Sequence, residues 1–194
     1  MKQILIMSLA LLIAACVPGE SNNTASERDA IEAALQGTWQ VACFADEDNE
    51  STKGRYVFKD GVISVTGTTY SDSSCESIFA QFTLEADFAI GDETVLASGQ
   101  SVSKFDSTVT KLEVAYYDQA LIPELNRVSL CGYKDWIEGE LKDAFNCSIF
   151  SAMKEGIKKD IVMLEEGKLY FGDDDYNEED GYPTQLESEF ATKL

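Results

Sequence analysis

From Tyr56 onward much of the chain alternates apolar and polar residues one by one, the period of a pleated strand with one buried and one wet face. Tyr56 and Phe58 alternate with Arg55 and Lys59, Asp60-Gly61 makes a tight reversal, and Ile63 and Val65 resume the pattern, which predicts a β-hairpin. Ile78, Ala80, Phe82, Leu84, Ala86 and Phe88 hold every second position, against Gln81, Thr83, Glu85 and Asp87. Gly91 is expected to turn the chain into a strand near Glu93 to Val102, and Leu112, Val114 and Tyr116 mark a further one. Ile161 to Leu164 and Leu169 to Phe171 flank Glu166-Gly167, another predicted hairpin.

Helical periodicity is confined to short stretches. Ser26 is placed to cap a helix over Glu27 to Leu35, with Ala30, Ile31, Ala34 and Leu35 on one stripe and Gly37 beyond its end. Asp118 to Arg127 reads as a helical crossover despite Pro123, and Gly132 to Cys147 as an excursion from the meander. Successive hairpins with one wet face are antiparallel, and closure into a barrel hides their edges. The expected fold is therefore mainly β, an antiparallel β-barrel over residues 37–194 with one or two short helices. In such a barrel Phe58, Val65, Phe82, Leu84, Phe88, Leu112, Val114 and Tyr116 point inward, which makes them candidates to line an apolar ligand site. The inside of a small barrel is usually filled by its own side chains, so a filled core serving an interaction or structural module is the alternative.

The first residues obey neither period. Lys2 precedes an apolar run, Ile4 to Ile13, that ends in Ala14-Ala15 before Cys16. The run is shorter than the ~20 apolar residues of a membrane-spanning helix, and its layout is that of a cleaved signal peptide over residues 1–15. Ile13-Ala14-Ala15-Cys16 resembles the lipobox of bacterial lipoproteins, in which the cysteine thiol receives a diacylglyceryl group and becomes the mature N-terminus. That resemblance makes Cys16 the lipidation site, carrying acyl chains such as palmitate, and residues 16–36 a lipidated tether and short helix. Acyl chains at one cysteine hold a domain on a bilayer, each buried methylene contributing about 0.8 kcal/mol. The expected location is the bacterial cell envelope. Val17 stands where many lipoproteins retained at the inner membrane have aspartate, which points to the outer membrane.

Charge and composition then remove whole classes of function. Among 194 residues, 35 acidic side chains face 15 basic ones, and the net charge of −20 leaves no basic stripe for nucleic acid. Histidine is absent, which excludes Ser-His-Asp and Cys-His catalysis and most zinc sites. There is no G-x-S-x-G and no phosphate-cradling glycine loop, and nothing singles out a pair of carboxylates for glycoside hydrolysis, so a non-enzymatic role is expected. The same acidity also fits adaptation to salt or docking of a basic envelope partner.

Besides Cys16, four cysteines remain, an even number in an exported chain. Cys43 closes the first predicted strand and Cys75 follows the second hairpin, while Cys131 and Cys147 bracket one excursion; this favours Cys43 with Cys75 and Cys131 with Cys147 among three pairings. A zinc site would need all four thiolates, and no C-x-x-C knuckle is present. Trp39 and Trp136, each near a predicted disulfide, read as core plugs rather than pocket-mouth residues. In the acidic run from Asp173 to Asp180, oxygens of Asp173, Asp175, Asn177 and Glu179 alternate in a way that suits Ca²⁺, although the spacing is not that of an EF-hand; a solvated loop is the other reading.

Several fragments recur in a fixed order: Leu35-Gln36-Gly37-Thr38-Trp39, Cys43, Tyr70-x-Asp72-x-x-Cys75, Cys131-Gly132 with Trp136, Cys147, Lys168-Leu169-Tyr170-Phe171 and Pro183-Thr184. Together they resemble the APCDD domain, named from a protein down-regulated by the adenomatosis polyposis coli tumour suppressor, and the likeness covers nearly all of residues 35–188. The resemblance implies a lipocalin-like antiparallel barrel with an apolar cavity that takes lipid, stapled by the same two disulfides. Animal members carry two such domains and a C-terminal membrane anchor and restrain lipidated Wnt signals; here there is one domain behind an N-terminal acyl anchor, so the signalling role does not transfer.

Overall fold

The computed structural model describes residues 23–45, 50–154 and 156–194; the expected signal peptide, Cys16 and the start of the tether lie outside them. Among the described residues no helix is long and apolar enough to cross a membrane. Helix α1 (Asn23–Leu35) leads into strands β1 (Gly37–Ala45), β2 (Ser51–Lys59), β3 (Val62–Tyr70), β4 (Ile78–Val95) and β5 (Ser101–Tyr116). An excursion follows with helix α2 (Ile122–Val128), the two-residue strand β6 (Lys142–Asp143) and the short helix α3 (Ser151–Lys154). Strands β7 (Lys158–Glu165), β8 (Lys168–Phe171) and β9 (Ala191–Lys193) complete the chain.

Every strand pairing is antiparallel, and eight strands close a barrel in the ring order β1-β2-β3-β4-β5-β7-β8-β9, with β9 joining back to β1 through Trp39 opposite Lys193 and Val41 opposite Ala191. β6 lies outside the ring, on the part of β5 beyond its pairing with β7. The Asp60-Gly61 and Glu166-Gly167 reversals are as expected: all four residues have positive φ, the backbone of a tight hairpin turn whose twist matches its strands.

Three expectations are corrected. Gly91 does not turn the chain; β4 continues to Val95, and the reversal comes at Leu96 to Gln100, where the Leu96 N–H donates to the Gln100 carbonyl (2.9 Å). Gly91 instead lies where β4 and β5 slip register, and a Cβ there would sit 2.9 Å from Lys104 Cβ. The strand expected near Glu93 to Val102 is therefore the tip of one long β4–β5 hairpin. Finally, α1 starts at Asn23, so Ser26 lies inside it rather than capping it.

α1 closes one end of the barrel. Leu35 is fully buried among Trp39, Phe58 and Ile90, and Ile31 packs against the same cluster. The helix's last carbonyls, which lack intrahelical donors, are served from the barrel: the Trp39 indole N–H donates to the Leu35 carbonyl (2.7 Å) and Lys193 Nζ to that of Ala34 (2.8 Å). Beneath the opposite end, the excursion packs Ala144, Phe145, Cys147, Phe150 and Met153 on Leu112, Val114, Phe82 and Leu84. The segment after β8 lies over the outer faces of β5 and β7, so the outward-pointing Val102 and Ile161 are buried with Leu96, Tyr182 and Leu186.

Candidate functional site

A cavity of about 610 Å³ occupies the barrel between the closed end and the mouth. Its walls are mostly apolar, from Val41, Ile63, Val65, Leu84, Phe105 and Leu169, while Phe44, Met153 and Phe190 stand near its opening. Its floor, toward the closed end, is aromatic: Phe58 meets Phe88 edge-on at 5.4 Å between ring centres, and Phe88 stacks on Phe105 at 5.4 Å.

The eight candidate lining residues divide along this axis. Val65, Phe82 and Leu84 face the cavity. Phe58 and Phe88 belong to the aromatic floor. Leu112 and Val114 are buried beneath the excursion, and Tyr116 lies edge-on against Trp136 at 5.3 Å. Both tryptophans are buried; Trp136 is fixed by its backbone N–H to Asn126 Oδ1 (2.6 Å) and its indole N–H to the Leu130 carbonyl (3.2 Å).

Both disulfides have the pairing favoured above, Cys43–Cys75 and Cys131–Cys147. Cys75 is set by the loop before it, where Asp72 accepts hydrogen bonds from the Ser74 N–H (2.8 Å), the Ser74 hydroxyl (2.7 Å) and the Glu76 and Ser77 N–H groups. These donors stabilise the carboxylate and hold Asp72 well below the ordinary range. The first disulfide thus ties β1 to the β3–β4 loop beside the mouth, and the second ties the two ends of the excursion's cover.

Asp173, Asp175, Asn177 and Glu179 do not gather around a common centre: Asp173 Oδ1 accepts the Asp175 N–H (3.0 Å) and Asn177 Oδ1 the Glu179 N–H (2.8 Å), each closing a local turn. Among the described residues no three Asp, Glu or Cys side chains are grouped to hold a metal ion. The loop is instead pinned to the barrel wall, where Asp180 pairs with Lys104 (2.7 Å) and the Tyr182 hydroxyl donates to Asp106 (2.8 Å).

The sequence reading misses the polar corner of the cavity. Asp160 stands opposite Phe105 in the β5–β7 pairing and faces the cavity with it. Its Oδ1 accepts the backbone N–H groups of Gly172 (2.9 Å) and Ile161 (2.7 Å). Burial pushes its pKa up to about 6, against those two hydrogen bonds and with help from the charges of Glu187 and Asp174. Tyr56 packs on Phe171 at 5.1 Å, and its phenol is also raised, first by burial and then by Asp160 and Glu187. Glu187 stands at the rim, its N–H donating to the Phe171 carbonyl (2.9 Å), and its carboxyl is raised by partial burial and by Glu189 and the nearby aspartates. One signal for this corner was available: Asp160 shares the inward register of Val162 and Leu164. Glu187 lies in an irregular segment and has no periodicity to betray it.

No protein-family model matches the chain, and no curated protein matches it in sequence.

Proposed function

We propose that this chain is a lipid-anchored envelope protein, not an enzyme, whose barrel holds a lipid or another hydrophobic small ligand. The observation that carries the reading is the cavity: about 610 Å³, chiefly apolar and open at one end, within the size range of small-molecule sites. A filled-core interaction module would have no use for such a space. Anchoring rests on the sequence alone, on Cys16 and the apolar run before it, and the APCDD resemblance supports both the barrel's carrier role and its two disulfides.

Two measurements test this. The neutral apolar dye N-phenyl-1-naphthylamine should bind the purified chain saturably, and Val65→Trp, which puts an indole into the cavity, should weaken binding at least tenfold with an unchanged circular dichroism spectrum. Absence of saturable binding, or equal binding by a folded Val65→Trp variant, removes the carrier reading. Cells expressing the full chain should incorporate labelled palmitate into it, and Cys16→Ser should abolish incorporation; labelling that survives the substitution removes the anchor.

A further inference from the structure

The cavity's polar groups are unevenly signed, and the imbalance bears on what head group its occupant carries. Phe171 is the pivot of the corner. Its ring meets Tyr56 at 5.1 Å and Phe105 at 6.0 Å, its carbonyl accepts the Glu187 N–H, and the next residue, Gly172, donates its N–H to Asp160. Two carboxylates and three aromatic rings thus surround one end of an otherwise apolar space.

Asp160 Oδ1 is committed to two backbone donors, but Oδ2 receives no hydrogen bond from a described residue. Among the described residues no sealed side-chain oxygen or nitrogen lacks a partner, so Oδ2 opens onto the cavity rather than being shut away. Each of the cavity's two lysines already has a partner. Lys158 Nζ donates to the Ala152 carbonyl (2.5 Å), and Lys53 Nζ to that of Cys75 (3.4 Å) while lying over the Tyr70 ring. A fatty-acid carboxylate entering here would bring a further anion beside Asp160 and Glu187, with no cavity-lining cation among the described residues that lacks a partner already. An ammonium would find both an open carboxylate oxygen and aromatic faces, the surroundings in which cations are held by charge and by ring quadrupoles together.

Building on the carrier reading above, we infer that the barrel selects amphiphiles with a cationic head, an amine or quaternary ammonium on an apolar body, the head seated between Asp160, Glu187 and the rings of Tyr56 and Phe171 and the body lying along Val65 and Leu84. The groups facing Asp160 are Tyr56 from β2, Phe105 from β5, Lys158 on its own strand, and Asp174, Tyr176, Glu187 and Glu189 from the segment after β8, so the corner's net sign is negative when Asp160 is ionised.

The test compares three ligands with the same chain, dodecyltrimethylammonium, dodecanol and dodecanoate, as displacers of N-phenyl-1-naphthylamine from the purified chain, all below micelle-forming concentrations. At pH 7.5 the ammonium should displace the dye at least tenfold more tightly than the carboxylate, with the alcohol between them. In the Asp160→Asn, Glu187→Gln double variant, with displacement referred to that variant's own dye affinity, the ratio should narrow to threefold or less. A control pair on exposed positions, Glu85→Gln with Glu178→Gln, should leave the ratio unchanged. If the control narrows it as much, the field of the whole acidic molecule is responsible and the inference falls. If dodecanoate displaces as well as the ammonium, the head-group inference falls while the carrier reading stands; if the dye does not bind at all, both fall.

Discussion

Replacing Asp160 by asparagine isolates the energetic consequence of placing a carboxyl inside the barrel. The substitution keeps an acceptor oxygen for the Gly172 and Ile161 N–H groups and removes only the ability to carry charge. In the wild type, burial pushes Asp160 up from an ordinary 3.8 to about 6. A raised carboxyl binds its proton more tightly folded than unfolded, so its stabilising contribution is full below pH 3.8 and is lost as pH rises through 6. The gap between those values corresponds to about 3 kcal/mol. The asparagine variant has no such titration. Urea unfolding at pH 4, 6 and 8 should therefore show the stability of Asp160→Asn relative to wild type rising with pH, by about 2.4 kcal/mol from end to end, with most of the rise between pH 4 and 6. Taking the difference between the two proteins cancels the background from the other 34 acidic side chains, whose mutual repulsion also changes over this range. A difference that is flat with pH would show that Asp160 is solvated as in an unfolded chain, and the description of a buried carboxyl facing the cavity would be wrong.

Two further outcomes test the parts of the frame that shape the cavity. Leu35→Ala, at a side chain with 0 % exposure beneath the barrel, should lower unfolding stability by about 3 kcal/mol; an unchanged urea midpoint would mean that α1 does not plug that end. Replacing Cys131 and Cys147 together by alanine releases a loop with a sequence separation of 16 and should cost about 3 kcal/mol, read as a lower urea midpoint with Cys43–Cys75 left intact; no change would show that the excursion is held by its packing alone.

How much of this was legible in the residues follows from how local each signal is. The alternation from Ile78 to Phe88, the Asp60-Gly61 and Glu166-Gly167 turns and the cysteine positions fix pairing and closure through near neighbours, and each appears as expected in the barrel. Gly91 misleads because a glycine reads as a turn from sequence alone, whereas here it makes room for Lys104 on the partner strand. The run Ile161-Val162-Met163-Leu164 is apolar on both faces because a remote segment, bearing Tyr182 and Leu186, covers the outside of β7, and no local pattern announces that cover. The corner around Asp160 joins β2, β5, β7, β8 and an irregular segment, so only the single inward-facing acid was visible in advance.

Why an eight-stranded barrel, a size commonly filled by its own side chains, keeps an open space is answered by the rows that cross its strands. One row near the closed end runs Phe58, Ile63, Ala86, Val109 in successive register, and the next runs Trp39, Tyr56, Val65, Leu84, Leu112; with Leu35 from α1 and the rings of Phe58, Phe88 and Phe105 these bulky side chains make the cavity's floor and the lower part of its walls. In the row nearer the mouth Val41 faces Gly54, Gly54 faces Gly67, and Gly67 faces Phe82. Two adjacent glycines remove side-chain volume from half of that row, and the Phe82 ring lies down over Gly67, where a Cβ would come within 2.2 Å of it, instead of projecting across the barrel. The cavity is therefore specified by where small residues occur along the inward register and not by strand number, since the same eight strands are filled at the closed end by Leu35, Phe58 and Phe88. It follows that side chains restored at Gly54 and Gly67 would close the space from the wall inward, while leaving Asp160 and Phe171 on the opposite wall where they stand.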